Sequence, residues 1–418
     1  VTVFERAPSL LEVGAGIQIP PNSSRLLHSW GLGPQLSALA TEPEAICIRR
    51  WEDGVVIGLT RLRPGCEERH GGKYYVVHRA GLQGALFARA VEVGVDVRLG
   101  CGVQRYDEER AQVVLESGEV VEGDLVVAAD GIHSKAREVV LGGQDEAPER
   151  CGFAAYRAVV DVEMMRRDED VAELLESPGQ NLWYVGFAGA YSEWLRLTRD
   201  RIGDQRHVMT YTIANNKSFN MVLSHPEDSD PATWTQENVI GDMKKHFKGW
   251  DPRLVKVIDM IQSTLKWPLL SGRPLRRWIC SSGKLLILGD AAHAMVPYMS
   301  EGAAMAVEDG AALAEVVSMV DTPSLVPEAL QVWERVRILR TGQMQEASLV
   351  NGKLWHFADG PEQRARDAAM QMEVCGEAFE RSSNQWSDPM TAAWAYGYDA
   401  EMEVRRMWLD THNGSSKL

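Results

Sequence analysis

The chain has 418 residues, with 44 Lys and Arg against 59 Asp and Glu and a formal charge of −15. A surface this acidic is unsuited to neutralising a phosphate backbone, which excludes nucleic-acid binding of the general electrostatic kind. At 45% hydrophobic and 25% charged residues, the composition is that of a folded protein with a large core, and two or three domains fit the length. Cys47, Cys66, Cys101, Cys151, Cys280 and Cys375 are scattered, with no C-x-x-C and no histidine at metal-ligand spacing. No metal site or disulfide framework is expected, and a reducing, cytoplasmic compartment fits this usage. The apolar stretches 285–288 and 303–320 are too short or are broken by Glu308, Asp309 and Glu315, so no membrane span is expected.

Residues 1–5 alternate small and β-branched apolar positions and stop at an acid, as a buried parallel strand does. Apolar spacing over 20–39 predicts helix, with Asn22 and Ser23 as N-cap residues and Gly31 and Gly33 as breakers. Strands are expected over 44–62 and 73–77, an amphipathic helix over 79–93, and strands over 95–99, 112–116 and 120–122. The run 125–129 is continuously apolar, the pattern of a strand covered on both faces. Alternation of strand and helix implies a three-layer α/β domain. From 152 to about 270 the texture changes to longer, aromatic-rich strands (153–162, 208–214, 219–223). A second buried-strand pattern at 285–288 precedes a loop and a helix over 301–319, and the chain after Pro327 reads mostly helical as far as about Arg381.

Glu5, Asp130-Gly131 and Gly289-Asp290 each place a small or acidic residue at the carboxyl end of a predicted strand, where an open α/β sheet binds its ligand. These segments resemble the FAD-dependent aromatic hydroxylases of the salicylate hydroxylase type, the class A flavin monooxygenases, especially their fungal secondary-metabolism members. The resemblance is carried by Val3-Phe4-Glu5-Arg6-Ala7, Val13-Gly14-Ala15-Gly16-Ile17, His78-Arg79, Asp130-Gly131-Ile132-His133-Ser134, Leu288-Gly289-Asp290-Ala291-Ala292-His293, Gly302-Ala303 and Glu308-Asp309-Gly310.

The resemblance implies an α/β fold. A three-layer FAD-binding domain, Rossmann-like and of the glutathione-reductase type, would occupy 1–150 and 276–326. A mixed β-sheet substrate domain would be inserted at 151–275, with a helical C-terminal region at 327–418. It implies FAD as cofactor and NAD(P)H as co-substrate, with hydroxylation of a small aromatic substrate by O₂ through a flavin C4a-hydroperoxide. A homodimer is the expected assembly. Glu5 would hold the FAD ribose, Ala15 and Gly16 would lie against the flavin, and Arg79 would add a nearby cation. Asp130 and Gly131 would serve FAD and reduced nicotinamide in turn, and Asp290 the ribitol chain. Gly302 and Ala303 would open a helix whose N-terminal N–H groups favour the negative charge of reduced flavin. Arg157 would orient the substrate phenolate, with Tyr211 on the facing strand.

His293 reads as a buried histidine satisfied by backbone groups, and Trp183, Tyr184, Trp386, Trp394 and Tyr398 as core. Two departures from the family pattern stand out. No G-x-G-x-x-G precedes Glu5, so the expected chain lacks the first strand, the phosphate turn and the helix behind it, and binds FAD weakly. Residues 185–203 are an extra segment of mixed texture, a retained intron or a lid loop. Two alternatives stay open at this stage: a cofactor-poor, non-catalytic paralogue, and a flavin monooxygenase that epoxidises or dearomatises its substrate.

Overall fold

The structure, a computed structural model, describes residues 1–10, 16–144, 147–176, 179–184, 206–214, 216–357 and 360–414. Its largest sheet has seven strands in the order Leu265–Ser271, Glu149–Asp161, Ser218–Pro226, His207–Ile213, Gly179–Tyr184, Ala45–Arg50 and Val56–Arg61. All neighbours are antiparallel except Gly179–Tyr184 beside Ala45–Arg50. The side-chain period of two divides this sheet cleanly. Tyr156, Ala158, Val160, Phe219, Met221 and Leu223 pack against helices Val162–Arg166, Gln236–His246 and Pro252–Met260. Met209, Tyr211 and Ile213 face the other way, into a second core with Tyr74, Tyr298, Met305, Trp355 and Tyr396. The sheet is not made by 151–275 alone, because Ala45–Arg50 and Val56–Arg61 complete it. Ile46 and Ile48, both essentially unexposed, belong to that second core.

The rest of the molecule uses short strand pairs. Thr2–Glu5 runs parallel to Asp96–Leu99, and Val126–Ala128 runs parallel to Leu285–Ile287. Gly16–Ile19 pairs antiparallel with Tyr75–His78. Among the described residues the two parallel pairs share no ladder. Helices Gly302–Ser318, Val326–Trp355 and Ala400–Gly414 pack beside Leu285–Ile287 around Trp278, Trp333 and Trp408. None of the described helices is long and apolar enough to cross a membrane.

Three sequence expectations are corrected here. Residues 1–5 form the parallel strand, but Val1 is 98% and Val3 43% exposed. Val127, in a run expected to be covered on both faces, is 42% exposed. Each strand has a ladder partner on one side only among the described residues, so the apolar pattern is present while the cover is not. Asn22 and Ser23 do not cap their helix: Pro20 holds the N-cap position and both lie buried inside Pro21–Ser29.

Candidate active site

The strand-end rule brings Asp130-Gly131 and Gly289-Asp290 together, because they follow neighbouring parallel strands at the same sheet end. Asp290 is exposed and lines a small cleft with Arg137, Pro148 and Arg273. The guanidinium of Arg137 donates to the carbonyls of Ile132 and Ala291, at 3.1 and 3.3 Å, tying the two loops to each other. Asp130 is also exposed, but one of its oxygens accepts from the Tyr106 hydroxyl at 3.1 Å and from the N–H groups of Lys135 and Ala136. Gly131 has φ +78°, a conformation glycine takes without steric cost.

The turn that presents Asp290 is held from below. Asp309, buried in helix Gly302–Ser318, accepts from the Gly289 N–H at 2.9 Å and bonds His293 Nε2 at 2.7 Å through one oxygen. Its other oxygen accepts from Arg337 Nε at 2.8 Å. These cationic and hydrogen-bonding partners outweigh burial and hold its carboxyl down at about 2. His293 is buried as expected, but its Nε2 meets a carboxylate rather than backbone, and its Nδ1 has no partner among the described residues. Glu308 is held ionised in the same way by Arg337 and Arg340, at 2.8 and 3.1 Å.

Helix Gly302–Ser318 starts with no side-chain cap and no acid in its first turn, directly after Ser300 at φ +61°. Gly302 is partly exposed and Ala303 exposed. Free N–H groups, small side chains and an open face are what an anionic ring edge needs at a helix N-terminus, so these residues fit a flavin. Glu5 ends the other parallel pair, with its carboxylate accepting the Ala7 N–H at 2.8 Å. Ala15 lies outside the described residues, as does the 185–203 segment.

On the inner face of the large sheet, Arg157 and Tyr211 sit on strands flanking Ser218–Pro226. Arg157 is partly buried, which lowers its pKa. Tyr211 opposes that effect and the nearby Arg79 adds to it. Arg157 has no carboxylate partner among the described residues and lies 5.3 Å over the Trp267 ring. By register Trp267, Leu265 and Val159 share its face, at 38%, 47% and 45% exposure, so an open apolar surface surrounds the guanidinium. Arg79 itself is exposed at the start of helix Arg79–Glu92.

Two buried side chains were missed from sequence. Asn220, cross-strand from Tyr211, accepts the Gly16 N–H at 3.0 Å through Oδ1, while its Nδ2 is buried without a partner among the described residues. An Asn in the middle of an apolar strand was the available signal. The second is Glu301, buried at the start of helix Gly302–Ser318. A Cβ at Gly16 would overlap the Tyr211 ring, so glycine lets the Gly16–Ile19 strand lie against the large sheet. Trp386 is core, and Trp394 and Tyr398 pack against it, as expected, whereas nothing is described of the Trp183 and Tyr184 side chains.

Comparison with known proteins identifies the family and the fold. The FAD binding domain family matches residues 1–348. FAD-dependent monooxygenase OpS4 of Beauveria bassiana is 33% identical over 404 residues, covering 96% of this chain and 89% of that protein. The 3-amino-4-hydroxybenzoate 2-monooxygenase PtmB3 of Streptomyces platensis is 33% identical over 96% of this chain and 90% of its own length. Among solved structures, CtdE in complex with FAD and a substrate superposes with TM-score 0.78 at 23% identity, covering 99% of this chain and 93% of that one. A salicylate hydroxylase substrate complex gives 0.72 at 21% identity, with 97% of both chains covered.

Proposed function

The chain belongs to the FAD binding domain family and is an FAD-dependent monooxygenase, and from that premise we propose that it hydroxylates a small phenolic ring held over the large sheet by Arg157. The observation that carries this reading is the partly buried, carboxylate-free guanidinium of Arg157 set among Trp267, Leu265 and Val159. A cation withdrawn from water without a counter-ion is unfavourable until an anion is supplied, and the apolar surface around it suits an aromatic ring. Arg157 then lowers the pKa of the ring hydroxyl and raises the nucleophilicity of the ring. Tyr211 and the unused Nδ2 of Asn220 fix its orientation, and the aromatic core beneath excludes water.

FAD, when bound, would supply the redox chemistry that couples NAD(P)H to O₂. Glu5 and Asp290 are assigned to its ribose and ribitol, Ala15, Gly16 and Arg79 to its flank, and Gly302 and Ala303 to the flavin's negatively charged edge. Asp130 and Gly131 serve FAD and NAD(P)H in turn. Residues 1–150 and 276–326 then form the cofactor half, and 151–275 with strands Ala45–Arg50 and Val56–Arg61 the substrate half. The names of the relatives support phenolic acids as the substrate class.

The test is NAD(P)H oxidation by the FAD-loaded chain with salicylate, 3-hydroxybenzoate and 3-amino-4-hydroxybenzoate, with products read by mass spectrometry. A product heavier by one oxygen is expected. R157Q should weaken the phenol about 10–100-fold, the worth of a charged hydrogen bond, while FAD binding holds. NAD(P)H consumption yielding only peroxide, or an R157Q enzyme with unchanged substrate affinity, would overturn the reading.

A further inference from the structure

Residues 294–300 lead from the Asp290 turn to the start of helix Gly302–Ser318, and one face of helix Val326–Trp355 grips them by their backbone. Gln345 Nε2 donates to the Ala294 carbonyl at 3.1 Å, Ser348 Oγ to the Val296 carbonyl at 2.6 Å, and Asn351 Nδ2 to the Tyr298 carbonyl at 2.7 Å. Gln345 Nε2 also reaches the Gly272 carbonyl at 3.1 Å. Donors at every third position of a helix thus meet acceptors at every second position of a chain that is extended at Ala294 and Val296. Gly352 completes the row: a Cβ there would stand 2.5 Å from the Tyr298 ring, so the bare backbone is the seat for that ring.

The three donor side chains are at most 2% exposed. Gln345 Oε1 and Asn351 Oδ1 are buried with no partner among the described residues, so each amide uses its donor half and leaves its acceptor half unpaired. A buried amide oxygen without a partner is unfavourable, and a face that needed only to fill space would be served better by apolar side chains. The donors are therefore what this face supplies.

One end of the gripped segment is fixed by Asp309, which holds the Gly289 N–H. At the other end, two residues beyond the last rung, Ser300 lies in the left-handed region at φ +61°, which a residue with a Cβ adopts only against steric resistance. Glu301 and the first helical residues, Gly302 and Ala303, follow at once. The conformation at Ser300 sets the direction in which that helix starts.

We propose that Gln345, Ser348 and Asn351 are positioning residues for the cofactor: by holding 294–300 they aim the first N–H groups of helix Gly302–Ser318 at the flavin's anionic edge before FAD binds, and so raise the potential of the bound flavin. This rests on the assignment of Gly302 and Ala303 to that edge. Donors fixed in advance need no reorganisation when charge arrives, and the positive end of a helix favours the anionic reduced ring over the neutral oxidised one. A segment free to relax at Ser300 turns those donors aside, and the preference for the reduced form shrinks.

Wild type is compared with the S348A/N351A double variant, with the same variant carrying S300G, and with A303D. In the FAD-free protein, hydrogen exchange read by mass spectrometry should quicken at least about tenfold over 294–303 in the double variant, while 326–340 keeps its wild-type protection. In the FAD-loaded protein, the ratio of reduced to oxidised flavin affinity should fall about tenfold, a potential about 30 mV lower by dye equilibration. Adding S300G removes the resistance to the left-handed turn and should restore most of that loss. A303D sets a carboxylate at the helix start and should lower the potential at least as far. If A303D leaves the potential unchanged, the assignment of Gly302 and Ala303 fails and this proposal with it. If A303D lowers the potential and the double variant does not, only the role of the three donors is overturned. Unchanged exchange over 294–303 overturns it whether or not the variant holds FAD.

Discussion

The two proposed halves of the molecule hold buried polarity in different proportions of charged and neutral groups. In the cofactor half, charge is buried as charge: Asp309, Glu308, Arg337 and Arg340 lie at 2% exposure or less and interlock through hydrogen bonds. In the half proposed to hold the substrate, neutral histidines are buried alongside ion pairs such as Asp251–Arg253 and Glu227–Lys266. His225 stacks on Tyr156 at 4.6 Å and lies 4.2 Å from His246, while His207 Nδ1 meets His356 Nε2 at 2.9 Å. Burial pushes His225 down to about 3 and both His246 and His356 to about 4. The strands differ too. Seven strands form one sheet on the proposed substrate side, whereas the proposed nucleotide side rests on separate parallel pairs with exposed valines. A network of ion pairs fixes the angle of a turn such as Gly289-Asp290, and neutral aromatic packing makes a smooth wall for a ring. Each half carries the kind of order its ligand demands.

The contrast breaks most sharply at Arg337. R337M strands Glu308 and Asp309 without their shared cation, which should cost about 3–5 kcal/mol in denaturant unfolding. A loss below about 1 kcal/mol would show that the network contributes little to stability. Next comes a matched pair of truncations. Leu223→Ala, at a fully buried sheet position, should cost about 2–5 kcal/mol, and Val3→Ala, 43% exposed, less than about 1 kcal/mol, with equal values contradicting the comparison.

The smallest effect is on pH. The buried histidines are neutral in the native state, and their unfolded forms take up protons below about 6.5. Stability is therefore full above that value and falls as pH drops through 6.5 toward the native values near 3 and 4. The Asp309 carboxyl, held at about 2, keeps its contribution at pH 5 and loses it as pH falls from the unfolded value near 3.9 toward 2. Hydrogen exchange at pH 5 should thus show the Tyr156–His225 sheet opening before the Asp309 turn. His225→Phe, which keeps a ring on Tyr156, should flatten the acid slope in melting curves.

Local pattern was enough to place most elements. The 3.6 period put a helix over 79–93 where Arg79–Glu92 lies, and the strand-end rule brought Asp130 and Asp290 to one sheet end before any coordinates. What local pattern could not show was what covers a strand or what a polar residue reaches. The same apolar run predicts Leu285–Ile287, which is fully buried, and Val126–Ala128, where Val127 is open to solvent. Asn22 looked like an N-cap because Asn and Ser near a helix start usually are. Its actual partners, Glu301 and Glu308, lie 279 and 286 residues away, and no short-range rule connects positions so distant. Asn220 was equally hidden, since its value lies in a cross-strand neighbour and in a glycine 204 residues earlier.

Strand order also constrains how the molecule comes into being. Ala45–Arg50 finds its parallel neighbour only when Gly179–Tyr184 has left the ribosome, and Val126–Ala128 waits for Leu285–Ile287. Neither half is therefore finished while the other is being synthesised, and both present unpaired edges to solvent during translation. Such long-range closure slows folding and lengthens the interval in which sticky segments meet their like. Yield in a heterologous host should accordingly depend more on translation speed and chaperone supply than on the stability of the finished enzyme.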